Sequence, residues 1–409
     1  MTRVERLGDH VDVVTGFPFK SHDYVESGIR LLRGDNVGQG RIRWSGAKYW
    51  PEDRAKESAR FYLSAGDVVL AMDRPWIEAG LKYAAVSESD LPSLLVQRVA
   101  RLRAKEELAQ SFLRYLVGSR PFVDYVLGVQ TGTGIPHISV GQIRDFRFQW
   151  VPLSDQQAIA EVLGALDDKI ALNEQICVTG LDLGDSCHQR VIDRGGPAPY
   201  ATLGQLMAEG ALQFGDGYRT KKAEHGTPGL PILRVAEVGM GMITPTFGDY
   251  VREEFRSAMG KKTSRPGDVV LTTKGTVGRV AMISPHDAEF VYSPQVCFFR
   301  PVGDAPISAP YLFHWLRGHE FWRQAAGMKG QTDMADYLSL SDIRSLKISL
   351  PTELDLAAFD RQCAPLHARA EAARLENRTL TDLRDTLLPQ LIAGRIRIKD
   401  VTRVVEEAV

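Results

Sequence analysis

The sequence predicts an α+β fold. Two similar mixed α/β domains are expected, separated by two long helices that pair as an antiparallel coiled coil about a pseudo-twofold axis. Three observations carry this expectation. Short segments recur in the same order about 200 residues apart. Each copy contains β-rich runs punctuated by Gly, Pro and Asp. Each copy then reaches a proline that opens a polar stretch with apolar residues at spacings of three and four.

The repeat is read from shared residues. Leu32-Arg33 followed by Val37-Gly38-Gln39-Gly40 recurs as Leu233-Arg234 followed by Val238-Gly239-Met240-Gly241. Tyr49 matches Tyr250, and Gly66-Asp67-Val68-Val69-Leu70 recurs identically as Gly267-Asp268-Val269-Val270-Leu271. Tyr115-Leu116, Gly118 and Ile143-Arg144 find counterparts in Trp315-Leu316, Gly318 and Ile343-Arg344. One such match is chance; an ordered series at a nearly constant offset is duplication of a whole domain plus a helix. The resulting division is domain 1–152, helix 153–194, domain 195–351, helix 352–398 and a tail 399–409.

Within the domains, strands are expected at Ile29–Arg33, Asp67–Met72, Leu95–Leu102 and Phe146–Val151. The second copy predicts them at Leu230–Val235, Asp268–Thr273, Phe290–Arg300 and Leu346–Leu350. A helix follows in each copy, around Ala104–Leu116 and Ala309–Arg317.

After Pro152 and Pro351 the pattern changes to helical. Leu163, Leu166, Ile170, Asn173 and Cys177 form one seam. Phe359, Cys363, Leu366, Ala370, Ala373, Asn377, Leu380, Leu387 and Leu391 form the other. Asp167, Asp168, Lys169 and Glu174, and likewise Arg369, Glu371, Arg374 and Glu376, are expected to face water. Each seam is too narrow to cover a globular core and holds one Asn, a residue that fixes register at a cost in stability. Both features favour pairing of the helices over packing of each on its own domain. Gly180 and Gly184 weaken the first helix by roughly 1 kcal/mol each, and Pro365 starts or kinks the second. A helix of about 30 residues spans roughly 45 Å, more than one turn of DNA. Two heads on such a rod suit a split site with an unread gap.

Composition is that of a globular chain of 409 residues, 44% hydrophobic and 25% charged, with no apolar run of membrane-spanning length. The first ten residues, MTRVERLGDH, lack a signal-peptide core, so the expected location is the cytoplasm. Cys177, Cys187, Cys297 and Cys363 form no C-x-x-C pair, so buried thiols are expected rather than zinc ligands or disulfides. The formal net charge is −1. A neutral chain binds nucleic acid by clustering Lys and Arg on one face, and then weakly without a partner.

At this point the sequence resembles the DNA specificity subunit of type I restriction–modification systems, over essentially the whole chain. Thr15-Gly16-Phe17-Pro18-Phe19-Lys20-Ser21 is similar to that family's opening motif. The two Gly-Asp-Val-Val-Leu runs are similar to its internal strand. Ile138-Ser139 through Pro152-Leu153-Ser154-Asp155-Gln156-Gln157 resembles its entry into the first conserved helix. Leu383-Arg384-Asp385-Thr386-Leu387-Leu388-Pro389-Gln390-Leu391-Ile392-Ala393-Gly394 resembles its C-terminal signature, the most specific of the four. The second half departs from the pattern. Phe214-Gly215-Asp216-Gly217-Tyr218-Arg219 stands in place of the opening motif, and Pro351-Thr352-Glu353-Leu354 lacks the Glu-Gln pair. The resemblance implies two target recognition domains, each reading one part of a split double-stranded DNA site. It implies helices that dock two methyltransferase subunits, with restriction subunits joining them. No cofactor is expected on this chain; S-adenosylmethionine, ATP and Mg are expected on those partners.

Candidate DNA contacts are polar residues in loops between strands, since Lys and Arg bind phosphates while Arg, Asn and Gln read base edges. In the first half these are Lys20, Ser21, Arg33, Asn36, Arg41, Arg43, Lys48, Arg74, Thr131, Thr133 and His137. Trp44 and Tyr49 are interleaved with the basic residues. In the second half they are Tyr218, Arg219, Lys221, Lys222, Arg234, Lys261, Lys262, Lys274, Lys329, Gln331 and Thr332. Each taken alone is as well explained as a solvated charge, and Arg33 and Arg234 as fold electrostatics.

Motifs for chemistry are absent. The three asparagines (Asn36, Asn173 and Asn377) exclude the Asn-Pro-Pro-Tyr motif of adenine methyltransferases, and there is no G-x-G-x-x-G, G-x-x-x-x-G-K-[ST], H-E-x-x-H or G-x-S-x-G. Residues shared by the two copies are mostly Gly, Val, Leu and Asp, which build folds rather than catalytic sites. A non-catalytic recognition subunit is therefore expected. The alternatives are an enzyme with a degenerate motif, a structural adaptor, or an orphan DNA-binding protein without restriction partners.

Overall fold

The computed structural model describes residues 3–132, 134–194, 199–239, 241–328, 337–396 and 401. The chain divides into two compact units, Met1–Ala171 with Asn377–Val409, and Leu172–Glu376.

The first unit begins with β1 (Val4–Arg6), α1 (Leu7–His10), β2 (Val11–Thr15), β3 (Ile29–Leu32), β4 (Gln39–Gly40) and β5 (Lys48–Trp50). It continues through β6 (Val68–Ala71), β7 (Trp76–Ile77), β8 (Gly80–Leu81), β9 (Tyr83–Ala85), β10 (Ser93–Leu95) and β11 (Val99–Ala104). Helices α2 (Gln110–Gly118), α3 (Arg120–Val129) and α4 (Val140–Asp145), strand β12 (Arg147–Gln149) and helix α5 (Leu153–Arg194) complete the run. The main sheet has the order β2-β11-β6-β9-β4; smaller sheets are β10-β3-β5, β1-β12 and β7-β8.

The second unit repeats this plan. Its elements are β13 (Tyr200–Thr202), α6 (Leu203–Ala208), β14 (Leu212–Asp216), β15 (Gly229–Leu233), β16 (Tyr250–Arg252) and α7 (Arg256–Met259). Next come β17 (Val269–Thr272), β18 (Val280–Met282), β19 (Val291–Tyr292) and β20 (Val296–Pro301). They are followed by α8 (Ala309–Arg317), α9 (His319–Ala326), α10 (Leu340–Ser345), β21 (Lys347–Ser349) and α11 (Glu353–Ile392). Sheet order β14-β20-β17-β18 reproduces β2-β11-β6-β9, and β16-β15-β19 reproduces β5-β3-β10. Register agrees as well: Val99 faces Ala71, and Val296 faces Thr272.

The repeated Val-Val-Leu run has no polar alternation because its strand is covered on both faces. Val68 and Leu70 enter the large core beside α2, α3 and α5, while Val69 and Ala71 enter a separate cluster with Leu32, Val37 and Leu95. Val269 and Leu271 likewise face one core and Val270 another. The Asp before each run is buried and paired. Asp67 accepts from Arg103, and Asp268 accepts from Arg300 at 2.6 Å and from the Tyr292 hydroxyl. An unpaired carboxylate there would carry the full cost of desolvation; the shared Asp is thus part of the fold.

Several expected boundaries shift. The run Leu95–Leu102 divides into β10 and β11, because Arg98 takes a positive φ of 69° between them. Phe290–Arg300 also divides, into β19 and β20, without a positive φ at Gln295. Ala104 still belongs to β11, so the following helix starts later, at Gln110.

The polar stretches form helices of 42 and 40 residues, about 63 and 60 Å long at 1.5 Å per residue. Pro365 lies inside α11 and does not start it. In each unit a part of α5 runs antiparallel to a part of α11. In the first unit Leu163, Leu166 and Leu380 are buried in one core with Ile170 packed against it, and Asn377 Nδ2 donates to the Ile170 carbonyl at 3.1 Å. In the second, Asn173 Nδ2 donates to Glu376 at 2.7 Å, and Cys177 packs on Ala370 and Ala373. Leu366 is half-buried, its carbonyl close to Gly180.

Asp167, Glu371 and Arg374, all expected to face water, do not; Glu371 accepts from Ser284 and Arg374. Asp167 accepts from Arg114, from the Tyr115 hydroxyl at 2.8 Å and from Arg384 at 3.0 Å. Arg374 is buried between Glu371 and Asp287. Each turns toward the globular part of its unit, where it satisfies groups that packing has removed from water. The second unit has a counterpart to the Asp167 clamp. Asp185 on α5 holds His314 Nδ1 at 2.6 Å and Arg317 at 2.7 Å, and His314 Nε2 lies 2.9 Å from His367 on α11.

Candidate nucleic-acid interface

The opening motif is a loop after β2. Gly16 is required there: a Cβ would stand 2.3–2.4 Å from the backbone of Leu95 and Val96. Phe17 donates its N–H to the Leu95 carbonyl at 3.0 Å. Gly217 does the same work in the second unit, where a Cβ would meet the Tyr292 carbonyl at 2.1 Å and Tyr218 N–H donates to that carbonyl at 2.7 Å. The departure at Phe214–Arg219 therefore keeps the motif's Gly-aromatic step, as Gly217-Tyr218.

Beyond this loop three candidates come together. Ser21, Arg33 and Lys48 line an open concavity of about 690 Å³ with Tyr24, Val25 and Glu26. Lys20 is exposed at its edge in sequence. Arg33 reaches Asp35 at 3.3 Å, an exposed pair that holds it only loosely. Asn36 is a correction. It is buried; its Oδ1 accepts from Arg33 N–H and its Nδ2 donates to the Arg43 carbonyl at 2.9 Å. That side chain fixes a turn and has no edge to offer a base. Trp44 is likewise structural, with Nε1 donating to Asp90 at 2.7 Å and the Arg30 guanidinium 4.6 Å from its ring centroid. Arg41 and Arg43 are exposed on the same turn, Arg43 donating to Gln39 at 3.2 Å.

A second group gathers past the end of β6. Asp73 pairs with His137, whose Nδ1 is 2.6 Å from its carboxylate, and with Arg98 at 3.7 Å. Thr131 and His137 form a backbone bridge, and Arg74 N–H donates to the Pro136 carbonyl at 2.7 Å. Arg98, absent from the expected set, carries no periodic signal; its signal is conformational. Arg74 (φ 44°) and Arg98 (φ 69°) are the two non-glycine residues with positive φ among the described residues. Such a backbone costs roughly 1–2 kcal/mol per residue, and strain of this kind collects at functional sites.

In the second unit Arg219 lies 3.9 Å from Asp216, and Lys221, Lys222 and Lys261 are exposed. Lys221 N–H donates to the Glu224 carboxylate. Tyr218 is half-buried beside Glu224, and burial together with that carboxylate raises its hydroxyl pKa. Lys262 is half-buried; its Nζ donates to the Gly217 carbonyl at 2.7 Å and lies 3.4 Å from Asp216, so it also braces the loop. Arg234 is held by Asp249 at 2.6 Å. Lys274 bridges Tyr337 as Asp73 bridges His137, so Lys274 and Asp73 are counterparts. Thr133, Lys329, Gln331 and Thr332 lie outside the described residues. Among the described residues no group of three or more His, Cys, Asp or Glu is placed to hold a metal ion. The four cysteines are buried and form no disulfide. No described helix is long and apolar enough to cross a membrane.

Residues 35–178 match the family model described as the type I restriction modification DNA specificity domain. The chain is 36% identical over 162 residues to the type I restriction enzyme EcoAI specificity subunit of Escherichia coli, covering 39% of this chain and 27% of that one. It is 33% identical over 173 residues to the MjaVIII specificity subunit of Methanocaldococcus jannaschii, covering 42% and 41%. The chain thus matches less than half the length of either relative. A weaker similarity to the MjaIX specificity subunit of the same organism, 19% identical, spans 86% of this chain and 82% of that one. In fold, the chain is similar to the S subunit of a type I restriction–modification system from M. genitalium, with a TM-score of 0.54 at 15% identity and 95% coverage of both chains. Residues 35–178 are thus similar to the type I restriction modification DNA specificity domain, and the fold of the chain is similar to that of a type I S subunit.

Proposed function

We propose that the chain is the DNA-reading subunit of a type I restriction–modification complex, each unit reading one half of a split double-stranded target. The observation that carries this is the repeated scaffold. The same sheets with the same register occur twice, while the loops beyond them carry different polar side chains. Two copies of one scaffold with unlike loops suit two stretches of duplex with unlike sequence. In this reading α5 and α11 set the length of the unread gap and offer the docking surface for two methyltransferase subunits, with restriction subunits joining them. The chemistry then belongs to those partners, which bring S-adenosylmethionine, ATP and Mg, and the chain itself catalyses nothing. The complex acts in the cytoplasm, where its DNA is.

Exchanging residues 1–150 for those of a relative tests the reading in a reconstituted complex, by mobility shift on duplexes bearing either half. The exchange is expected to change one half of the target and leave the other. Change in both halves, or in neither, or no DNA binding by the unaltered complex, overturns it.

A further inference from the structure

At four positions the two units share backbone hydrogen bonds and differ in every side chain; at one of them Arg98 has a positive φ that its counterpart Gln295 lacks. In the first unit Met72 N–H donates to the Arg98 carbonyl at 2.8 Å, and Ile138 N–H to the Met72 carbonyl at 2.9 Å. In the second, Thr273 N–H donates to the Gln295 carbonyl at 2.8 Å, and Leu338 N–H to the Thr273 carbonyl at 3.0 Å. These bonds align Asp73, Arg74, Arg98 and His137 with Lys274, Gly275, Gln295 and Tyr337. Gly275 has φ 78°, in the same left-handed region as Arg74. All four positions lie where β6 leaves the sheet and β11 enters it, or β17 and β20 in the second unit, beside strand residues that the two copies share.

The chemistry of the four differs sharply. An acid in one unit is replaced by a base in the other. Arginine occupies a backbone conformation for which the other unit uses glycine, the residue that adopts it without strain. A charge needed only for solubility could sit at any neighbouring exposed position. Keeping arginine at φ 44°, and again at φ 69°, is explained if the direction in which each guanidinium leaves the backbone matters. Both arginines are exposed, and the Asp73 carboxylate, itself held by His137, lies 3.7 Å from Arg98 Nε. Gln295 is exposed at the position of Arg98. Arginine pairs with the O6 and N7 edge of guanine in the major groove, and glutamine with the N6 and N7 edge of adenine.

We propose that these four positions determine specificity in each unit. Arg74 and Arg98 read guanine in the half-site of the first unit, with Asp73 and His137 as positioning residues, and Gln295 reads adenine in the half-site of the second. The inference rests on the recognition function proposed above and assigns it to particular atoms.

The test is selection from random-sequence duplexes by the full chain in complex with its methyltransferase partner, wild type against variants. Replacing the set in the first unit (Asp73→Lys, Arg74→Gly, Arg98→Gln, His137→Tyr) is expected to abolish the guanine preference in that half, bring in adenine, and leave the other half unchanged. Arg98→Gln alone is expected to lower discrimination at one base about tenfold or more. Arg74→Gly relieves strain, so it is expected to melt no lower than wild type while losing discrimination, which separates recognition from folding. Half-site preferences that survive these changes overturn the proposal. So does uniform weakening on all sequences with a shallower salt dependence, because that is the mark of phosphate contacts. A wild-type complex that selects no sequence overturns the recognition function itself, and this proposal with it.

Discussion

Replacing Asp167 by Ala in α5 is expected to loosen the first unit by roughly 3 kcal/mol. The carboxylate accepts from Arg114 and the Tyr115 hydroxyl on α2, and from Arg384 on α11. It thereby joins the globular part of the unit to both long helices. Hydrogen bonds to charged groups contribute about 1.5–3 kcal/mol when buried, and a neutral one about 1. The side chains of Arg114, Arg384 and Asp167 keep 33%, 29% and 22% of their exposure, so each arginine recovers water when its partner goes. Discounting the two ionic contacts to about 1 kcal/mol each and adding the tyrosine gives the estimate. Asp167→Asn keeps one acceptor oxygen but puts an NH2 donor in place of the other, facing an arginine, so an intermediate loss of about 2 kcal/mol is expected. Hydrogen exchange on the full chain is the suitable assay, since two units do not unfold as one two-state body. Three kcal/mol corresponds to exchange on the order of a hundredfold faster in α2 and in the 377–392 part of α11. Unchanged protection there, or equal loss in residues 172–376, would refute the clamp.

Other consequences follow from the same packing. Burial, reinforced by the facing His314, holds His188 down to about 3 and His367 down to about 4. Both lie below the unfolded value near 6.5, so the unfolded chain takes up protons that the folded chain refuses. Stability is therefore expected to fall as pH drops below about 6.5, by up to about 1.4 kcal/mol per pH unit for each histidine. Asp185 and Arg317 are the fixed charges of this cluster, and the Tyr311 ring packs against His188 at 4.5 Å, tilted by 57°. Urea midpoints at pH 7.5 and 5.5 check this, with His188→Phe flattening the slope; a midpoint independent of pH contradicts it. Gly180→Ala meets only ordinary contacts, at 3.5 and 3.8 Å, and is expected to gain up to about 1 kcal/mol of helix propensity. Gly184→Ala would place its Cβ 2.3 Å from the His314 ring and is expected to destabilise. Opposite shifts in melting temperature check the pair, and a rise in both speaks against the His314 packing. Inserting about four residues, one helical turn, near Asn173 is expected to lengthen the gap between half-sites and alter neither of them. A selected target with its gap unchanged would remove the helices from the role of spacer.

Much of this molecule is legible in the sequence because its signals are local or periodic. The Gly-Asp-Val-Val-Leu runs are strands flanked by turns, and the seam through Leu163, Leu166, Leu380 and Ala373 follows helical spacing. The binding surface is harder to read because long-range hydrogen bonds decide it. Asn36 and Lys262 look available by residue type, yet their polar atoms are used by the Arg43 and Gly217 carbonyls. Asp167 and Arg374 sit at polar positions of their helices but answer buried donors and acceptors brought from other elements. Arg98 has no sequence signature, since a positive φ at a non-glycine residue leaves no mark on residue type or spacing. Gly217 is the converse case: its motif is obscured by flanking changes, while its contact with the Tyr292 carbonyl reproduces that of Gly16. Lys274 stands opposite Asp73 at the same offset as the repeated Val-Val-Leu run, and their backbone bridges to Tyr337 and His137 agree with that match.

The claim that two unlike reading units share one target is tested most directly by mapping methylated bases across a host genome with and without this gene. The account predicts a single methylated motif that depends on the gene, made of two different short sequences separated by a fixed number of unspecified bases. A gene-dependent motif that is continuous, or two halves with no fixed spacing, would contradict it.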